Sequence, residues 1–145
     1  MMWKDDIQAQ NSDVPIEGMV TLTIKGRLPS LNEYTRACRG SKYTGAKMKK
    51  EAEELIGWHI KAQLRESHFD APVRMAFRWY EPNGRRDLDN ICFAKKFILD
   101  ALVANGILDD DDWKHIKGFT DEFFVNSKDP RIEVDIDFDD DSLPF

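Results

Sequence analysis

The 145-residue chain predicts an α+β domain in the order βαβαββ, a mixed sheet with two helices packed on it. Three observations predict it. Apolar residues alternate at period two in three short stretches, recur at helical period in two longer ones, and strands alternate with helices until two strands close the chain. A chain of this length buries enough surface to fold around one core without a disulfide or zinc staple. Cys38 and Cys92 form no CxxC pair, and His59, His68 and His115 show no HxxxH spacing, so both cysteines read as free thiols.

The first strand is Val20–Lys25, where Val20, Leu22 and Ile24 alternate with Thr21, Thr23 and Lys25. Residues 26–45 contain Pro29, Ser30, Asn32, Gly40 and Ser41 without clean periodicity and read as a long loop. From about Ala46 to Glu66, Met48, Ala52, Leu55, Ile56, Ile60 and Leu64 recur at helical spacing. Val73, Met75, Phe77 and Trp79 define a second strand, which Pro82-Asn83-Gly84 ends. Ile91, Ala94, Ile98, Ala101 and Leu102 mark a second helix, stopped by Gly106. Residues 115–125 and 132–138 read as a closing hairpin. The domain is thus expected over 19–138, between a polar, flexible N-terminal extension (1–18) and an acidic tail with an apolar tip (139–145). The extension has no apolar run to serve as a signal or anchor, so a cytoplasmic protein with no membrane role is expected.

The net charge of −6 conceals a segregation. Residues 25–50 carry eight basic side chains against one acidic, whereas 109–145 carry thirteen acidic against four basic. Arg27, Arg36, Arg39, Lys42 and Lys47, interleaved with Tyr34 and Tyr43, suit phosphate contacts, or a solvated basic loop.

The densest chemistry lies in Gly84-Arg85-Arg86-Asp87-Leu88-Asp89-Asn90. In extended chain, side chains two apart point the same way with Cα atoms about 6.5–7 Å apart, a gap one divalent cation can bridge. Mg²⁺ suits the pair, since it takes one or two carboxylates and fills its remaining positions with water and phosphate oxygens. Arg85 and Arg86 would steer a phosphodiester beside it. The plain alternative is that Asp89 caps a helix and Asp87 sits in a solvated turn. A second cluster, Asp109-Asp110-Asp111-Asp112, follows the second helix and needs water or a cation to offset its mutual repulsion. Lys96 lies seven residues after Asp89, nearly two helical turns, and would project toward the carboxylates; pairing with Asp100 is the alternative.

Arg86-Asp87-Leu88-Asp89-Asn90, then Leu99-Asp100-Ala101-Leu102, then Gly106-Ile107-Leu108 and the acidic run resemble the RusA family of Holliday junction resolvases, as does Leu28-Pro29-Ser30-Leu31-Asn32. The resemblance implies a RusA-like fold and a homodimer, common in phages and prophages. Its members bind four-way DNA junctions and make paired Mg²⁺-dependent nicks during recombination and repair, with Mn²⁺ as a substitute ion. It implies that Asp87 and Asp89 are the first two metal-binding aspartates and places the third on Asp111, with Asp110 beside it. Asn32 joins Arg27, Arg36, Arg39, Lys42, Lys47, Arg85 and Arg86 as a DNA contact. The family's catalytic lysine stands four residues after the second aspartate, where this chain has Phe93; counting back from Asp100 gives Lys96, with Lys95 its neighbour. A noncatalytic branched-DNA-binding protein is the alternative reading.

The chain ends Asp139-Asp140-Asp141-Ser142-Leu143-Pro144-Phe145. This resembles the acidic C-terminal tip of bacterial single-stranded DNA-binding proteins, which implies docking to repair proteins that capture such tips through Asp139, Asp140, Asp141, Leu143, Pro144 and Phe145. Capture of a chain terminus by a basic rim and an apolar pocket is a known recognition mode.

Overall fold

A computed structural model describes residues 14–15, 18–65 and 67–139. Its elements are β1 (Val14–Pro15), β2 (Val20–Lys25), α1 (Leu31–Gly40), α2 (Lys42–Gln63), β3 (Ser67–His68), β4 (Val73–Glu81), α3 (Leu88–Cys92), α4 (Lys95–Ala104), β5 (Ile116–Val125) and β6 (Arg131–Phe138). Four strands form the main sheet in the order β2-β6-β4-β5, while β1 and β3 add a two-residue parallel pair. The sheet is mixed, as expected: β6 runs antiparallel to β2 and β4, and β4 runs parallel to β5.

Helices cover one face only. Leu22, Ile24, Phe77, Trp79, Val134 and Ile136 point from the sheet into a core shared with Ile56 and Ile60 of α2 and Phe97, Ile98 and Leu102 of α4. The opposite face is an ionic lattice, in which Arg78 reaches Glu133 (3.0 Å) and Asp135 while Arg131 lies over the Tyr80 ring. Period-two alternation in β4 and β6 was legible because one face is apolar and the other charged.

Three expectations are corrected. The expected loop at 26–45 holds a ten-residue helix, α1, whose start is fixed by a capping box: Ser30 accepts from the Glu33 N–H and Glu33 from the Ser30 N–H. The expected second helix is two. Ala94, Lys96 and Phe97 donate to carbonyls three residues back, and this tightened turn separates α3 from α4. The closing strands are not a hairpin: β4 and β6 both lie between β5 and the β2 edge. The α3–α4 crossover delivers β5 parallel to β4, and residues 126–130 then carry the chain across the end of β4, where Asn126 N–H donates to Glu81 O (2.7 Å).

Candidate active site

The strands β2, β4 and β5 are parallel, so their C-terminal ends share one end of the sheet. There Glu81 is buried at 6% exposure, and Arg27 compensates it with Nη2 at 2.6 Å and Nε at 3.2 Å from Oε1. Arg86 donates Nη1 to Leu28 O (3.0 Å) and Nη2 to Glu33 Oε1 (2.7 Å). Burial raises the Glu33 carboxyl, but the Ser30 N–H and the Arg86 charge together outweigh it and hold the group below its ordinary value. Asn90 Oδ1 accepts the Asn32 N–H (3.0 Å), fastening α1 to α3. Two arginines expected to contact DNA, Arg27 and Arg86, are therefore engaged in building this corner.

Between these anchors stand the two carboxylates. Asp87 is the N-cap of α3 in extended backbone (φ −71°, ψ 157°), yet its side chain makes no capping bond. Asp89 lies in the first turn, where Oδ1 accepts the Asn90 N–H (3.0 Å). Both are exposed, and the oxygens of Asp87 and Oδ2 of Asp89 take no hydrogen bond from the described residues. Leu88–Cys92 is helical, so the spacing expected for extended chain does not apply to this pair; carboxylate oxygens of this kind are the donors a hard cation takes while it keeps water and phosphate in its remaining positions.

The second acidic run is elsewhere. Asp109–Asp112 precedes β5 and so lies at the opposite end of the β4–β5 pair from the segment following Glu81. No group of three or more His, Cys, Asp or Glu able to hold a metal assembles among the described residues. Within the run the four carboxylates have different work. Asp112 Oδ1 accepts from the backbone of Lys114 and His115 and sits 2.5 Å from His115 Nδ1, shaping the turn into β5. This contact pulls the Asp112 carboxyl down and pushes the His115 imidazole up from their ordinary values. Asp109 lies 3.6 Å from His68 Nε2, and Asp110 accepts the Asp111 N–H (2.7 Å). The Asp111 carboxylate has no partner among the described residues.

The two candidate lysines diverge. The seven-residue count from Asp89 to Lys96 crosses the α3–α4 break, so it does not run along one helix. Lys96 is half-exposed and 3.6 Å from Asp100, which Lys49 also approaches. Lys95 is the inward one: its Nζ is 2.7 Å from Asp121 Oδ2 and lies over the Phe77 and Phe119 rings. Asp121 also accepts from Trp79 Nε1 (2.9 Å), and together with burial it raises the nearby Cys92 thiol, which feels the Asp89 charge as well. Asp121 escaped the sequence reading; its signal was a lone acid interrupting the apolar positions Phe119 and Phe123 on the helix-facing side of β5.

Basic residues flank this end of the sheet. Asn32, Arg36 and Arg39 occupy one exposed stripe of α1, with Asn32 bonded to the α3 turn. Lys42 and Lys47 are exposed in the first turns of α2, and Arg85 is exposed just before Asp87. Asp139 extends β6: its N–H donates to Pro72 O and its carboxylate accepts from Arg74 Nε (2.5 Å), so it belongs to the folded domain. Asp140, Asp141, Leu143, Pro144 and Phe145, and most of the N-terminal extension, lie outside the described residues.

An acidic pair at a strand-to-helix corner beside a basic helix offers the donor types that metal-assisted phosphodiester chemistry uses. The family model described as Endodeoxyribonuclease RusA matches residues 25–137, which hold α1–α4, β4, β5 and all of β6 but Phe138, and the chain belongs to that family of Holliday junction endonucleases. No curated protein matches the chain. Among the described residues no helix is long and apolar enough to cross a membrane.

Proposed function

We propose that the chain nicks four-way DNA junctions at a divalent-metal site built on Asp87 and Asp89, working as a homodimer that makes paired cuts. The observation carrying this reading is the pair of exposed carboxylates with open oxygens in a corner braced by Glu81–Arg27 and Glu33–Arg86. Bracing matters because a catalytic constellation must be held in place before substrate arrives. A bound divalent cation, Mg²⁺ or Mn²⁺, supplies an activated water and neutralises charge on the scissile phosphate. Asp87 and Asp89 provide its protein ligands. The exposed stripe of Asn32, Arg36 and Arg39, with Lys42, Lys47 and Arg85, tracks the DNA backbone and draws its affinity from phosphate neutralisation, so binding weakens steeply with salt. Two sites related by a twofold axis meet symmetric strands of a junction, which accounts for paired nicking.

The test is cleavage of a labelled four-way junction and a matching linear duplex with Mg²⁺, with EDTA, and with Asp89→Asn. Junction-selective nicking that EDTA and the substitution both abolish is the expected result. Tight junction binding without metal-dependent cutting would overturn it in favour of a noncatalytic junction-binding protein.

A further inference from the structure

The helix α2 turns only one side to the core, through Ala52, Ile56 and Ile60. On the other side Tyr43, Lys47, Lys50, Glu54, Trp58 and Lys61 follow one another at three- and four-residue steps, so they share one exposed stripe. Two flat rings stand on it almost uncovered, Tyr43 at 75% and Trp58 at 76% exposure. The surface along the stripe is hollow. A groove of about 590 Å³ beside Trp58 and Lys61, walled by Ala104 and Asn105 after α4, adjoins one of about 370 Å³ beside Tyr43, and the two share Ala46, Lys50 and Glu54. Small residues keep it open: Gly57 faces Asn105, whose Nδ2 an added Cβ would meet at 3.4 Å. Lys47, Lys50 and Lys61 take no ion-pair partner among the described residues, whereas Lys49 beside them is held by Glu53 (3.8 Å) and Asp100 (3.6 Å).

Charge and shape together identify the ligand. Free ammonium groups set between exposed rings match a polymer that alternates phosphates with flat faces, an unpaired nucleic-acid strand. Duplex DNA keeps its base faces inside the stack and would use the lysines alone. Glu54, one turn before Trp58, repels phosphate but accepts an exocyclic base amine, the pairing a carboxylate makes with cytosine. From Tyr43 to Trp58 the stripe spans about 22 Å of helix, room for a few nucleotides. It also continues the basic face beside the acidic corner. Arg39 and Lys42 flank the junction of α1 with α2 just before Tyr43, and Asp100 lies 3.6 Å from both Lys49 and Lys96.

We propose that the α2 groove holds an unpaired DNA strand, its bases stacked on Trp58 and Tyr43 and its phosphates on Lys47, Lys50 and Lys61, so that the preferred substrate is branched DNA with a single-stranded arm. Cutting of such a substrate rests on the nuclease reading above, whereas strand binding at α2 does not.

Binding is measured without cutting, in EDTA, on a fork with one eight-cytosine arm and on a blunt duplex of matched length. Wild type should hold the fork about ten-fold tighter than the duplex, the gain that stacking one or two bases supplies. Trp58→Ala should bring the fork to within two-fold of the duplex, while Trp58→Phe, which keeps a ring, should retain most of the preference. Trp58 is exposed, so both variants should keep the wild-type circular dichroism. A 5-iodouracil placed in the arm should photo-crosslink to Trp58 or Tyr43. Equal affinity of wild type for fork and duplex, a preference that survives Trp58→Ala/Tyr43→Ala, or crosslinks confined to other residues would overturn the proposal. An indole fluorescence change induced by the peptide Asp-Asp-Asp-Ser-Leu-Pro-Phe and lost in Trp58→Phe, with no arm crosslink, would assign the groove to an acidic peptide instead. Nicking with Mg²⁺ is read separately. If neither fork nor four-way junction is nicked while the arm crosslinks to Trp58, the nuclease reading fails and the groove stands; if the junction is nicked and the arm gives no preference, the groove fails and the nuclease reading stands.

Discussion

Two aspartate-rich segments, Arg86–Asn90 and Asp109–Asp112, look alike in composition and differ in what the fold does with them. In the first, the flanking side chains are engaged: Arg86 is bonded to Leu28 and Glu33, and Asn90 to α1, leaving Asp87 and Asp89 standing on a braced corner with open oxygens. In the second, an aspartate itself performs the bracing, since Asp112 shapes the turn into β5, and Asp111 is left without a partner among the described residues. An acidic run therefore divides into carboxylates that build structure and carboxylates that the structure presents. The division follows from which backbone N–H groups need acceptors, and not from the spacing of acids in the sequence.

The largest effect that breaks the comparison is on catalysis. Asp89→Asn should cut junction nicking about a thousand-fold, ~4 kcal/mol in barrier, with little change in thermal midpoint, since its one hydrogen bond is kept by the amide oxygen. Asp112→Ala should do the reverse and lower the thermal midpoint, because two backbone donors and His115 lose their acceptor. Nicking and melting measured on both variants separate the presenting from the building role; equal profiles would erase the distinction.

Next come the lysines. Lys95→Ala leaves Asp121 beneath the helix layer with its Trp79 hydrogen bond but without its cation, and should cost about 1–3 kcal/mol of stability in a denaturant titration. Lys96→Ala loses only a half-exposed pair with Asp100, about 0.3–0.5 kcal/mol. If Lys96 stabilises charge on the phosphate, its loss should slow nicking about a hundred-fold at nearly unchanged stability. Unchanged nicking would remove it from the site.

Solution pH should separate the two segments with opposite sign. Glu33 sits below its ordinary value of 4.5, so its hold on Arg86 is present above that pH and is lost as pH falls through the depressed value. His115 sits above 6.5, so its contribution is full below 6.5 and is lost as pH rises through the raised value. NMR titration should place the His115 midpoint above 6.5 in wild type and lower it in Asp112→Asn, where the Asp110 and Asp109 charges still act on the imidazole. A wild-type midpoint at 6.5 would mean that the turn is not clamped.

Much of this was legible from the chain. Alternation in β2, β4 and β6 could be read because each buries one face, and the Asp87–Asp89 corner because proline, asparagine and glycine end β4 just before it. The helix α1 was hidden behind Ser30, Asn32 and Gly40, although Ser30 and Glu33 stand at capping-box spacing. Strand order could not be read: the hairpin expectation for β5 and β6 treats sequence neighbours as sheet neighbours, and β4 inserts between them by long-range pairing. The inward turn of Lys95 depends on the tightened backbone at Ala94, which no periodicity reports.

The smallest effect concerns the C-terminus. Asp139 is bonded to Pro72 and Arg74, so a truncation that removes it should lose a partly exposed ion pair worth at most about 1 kcal/mol. A truncation that begins at Asp140 keeps that anchor. It should leave the melting midpoint and junction nicking at wild-type levels while abolishing binding to a repair protein that captures acidic tips ending in Leu-Pro-Phe. The comparison of the two truncations is the informative step, because it separates a stabilising aspartate from docking ones within a single acidic run, as Asp112 and Asp111 are separated at the start of β5. Binding that survives loss of 140–145 would rule out the tail as a docking peptide.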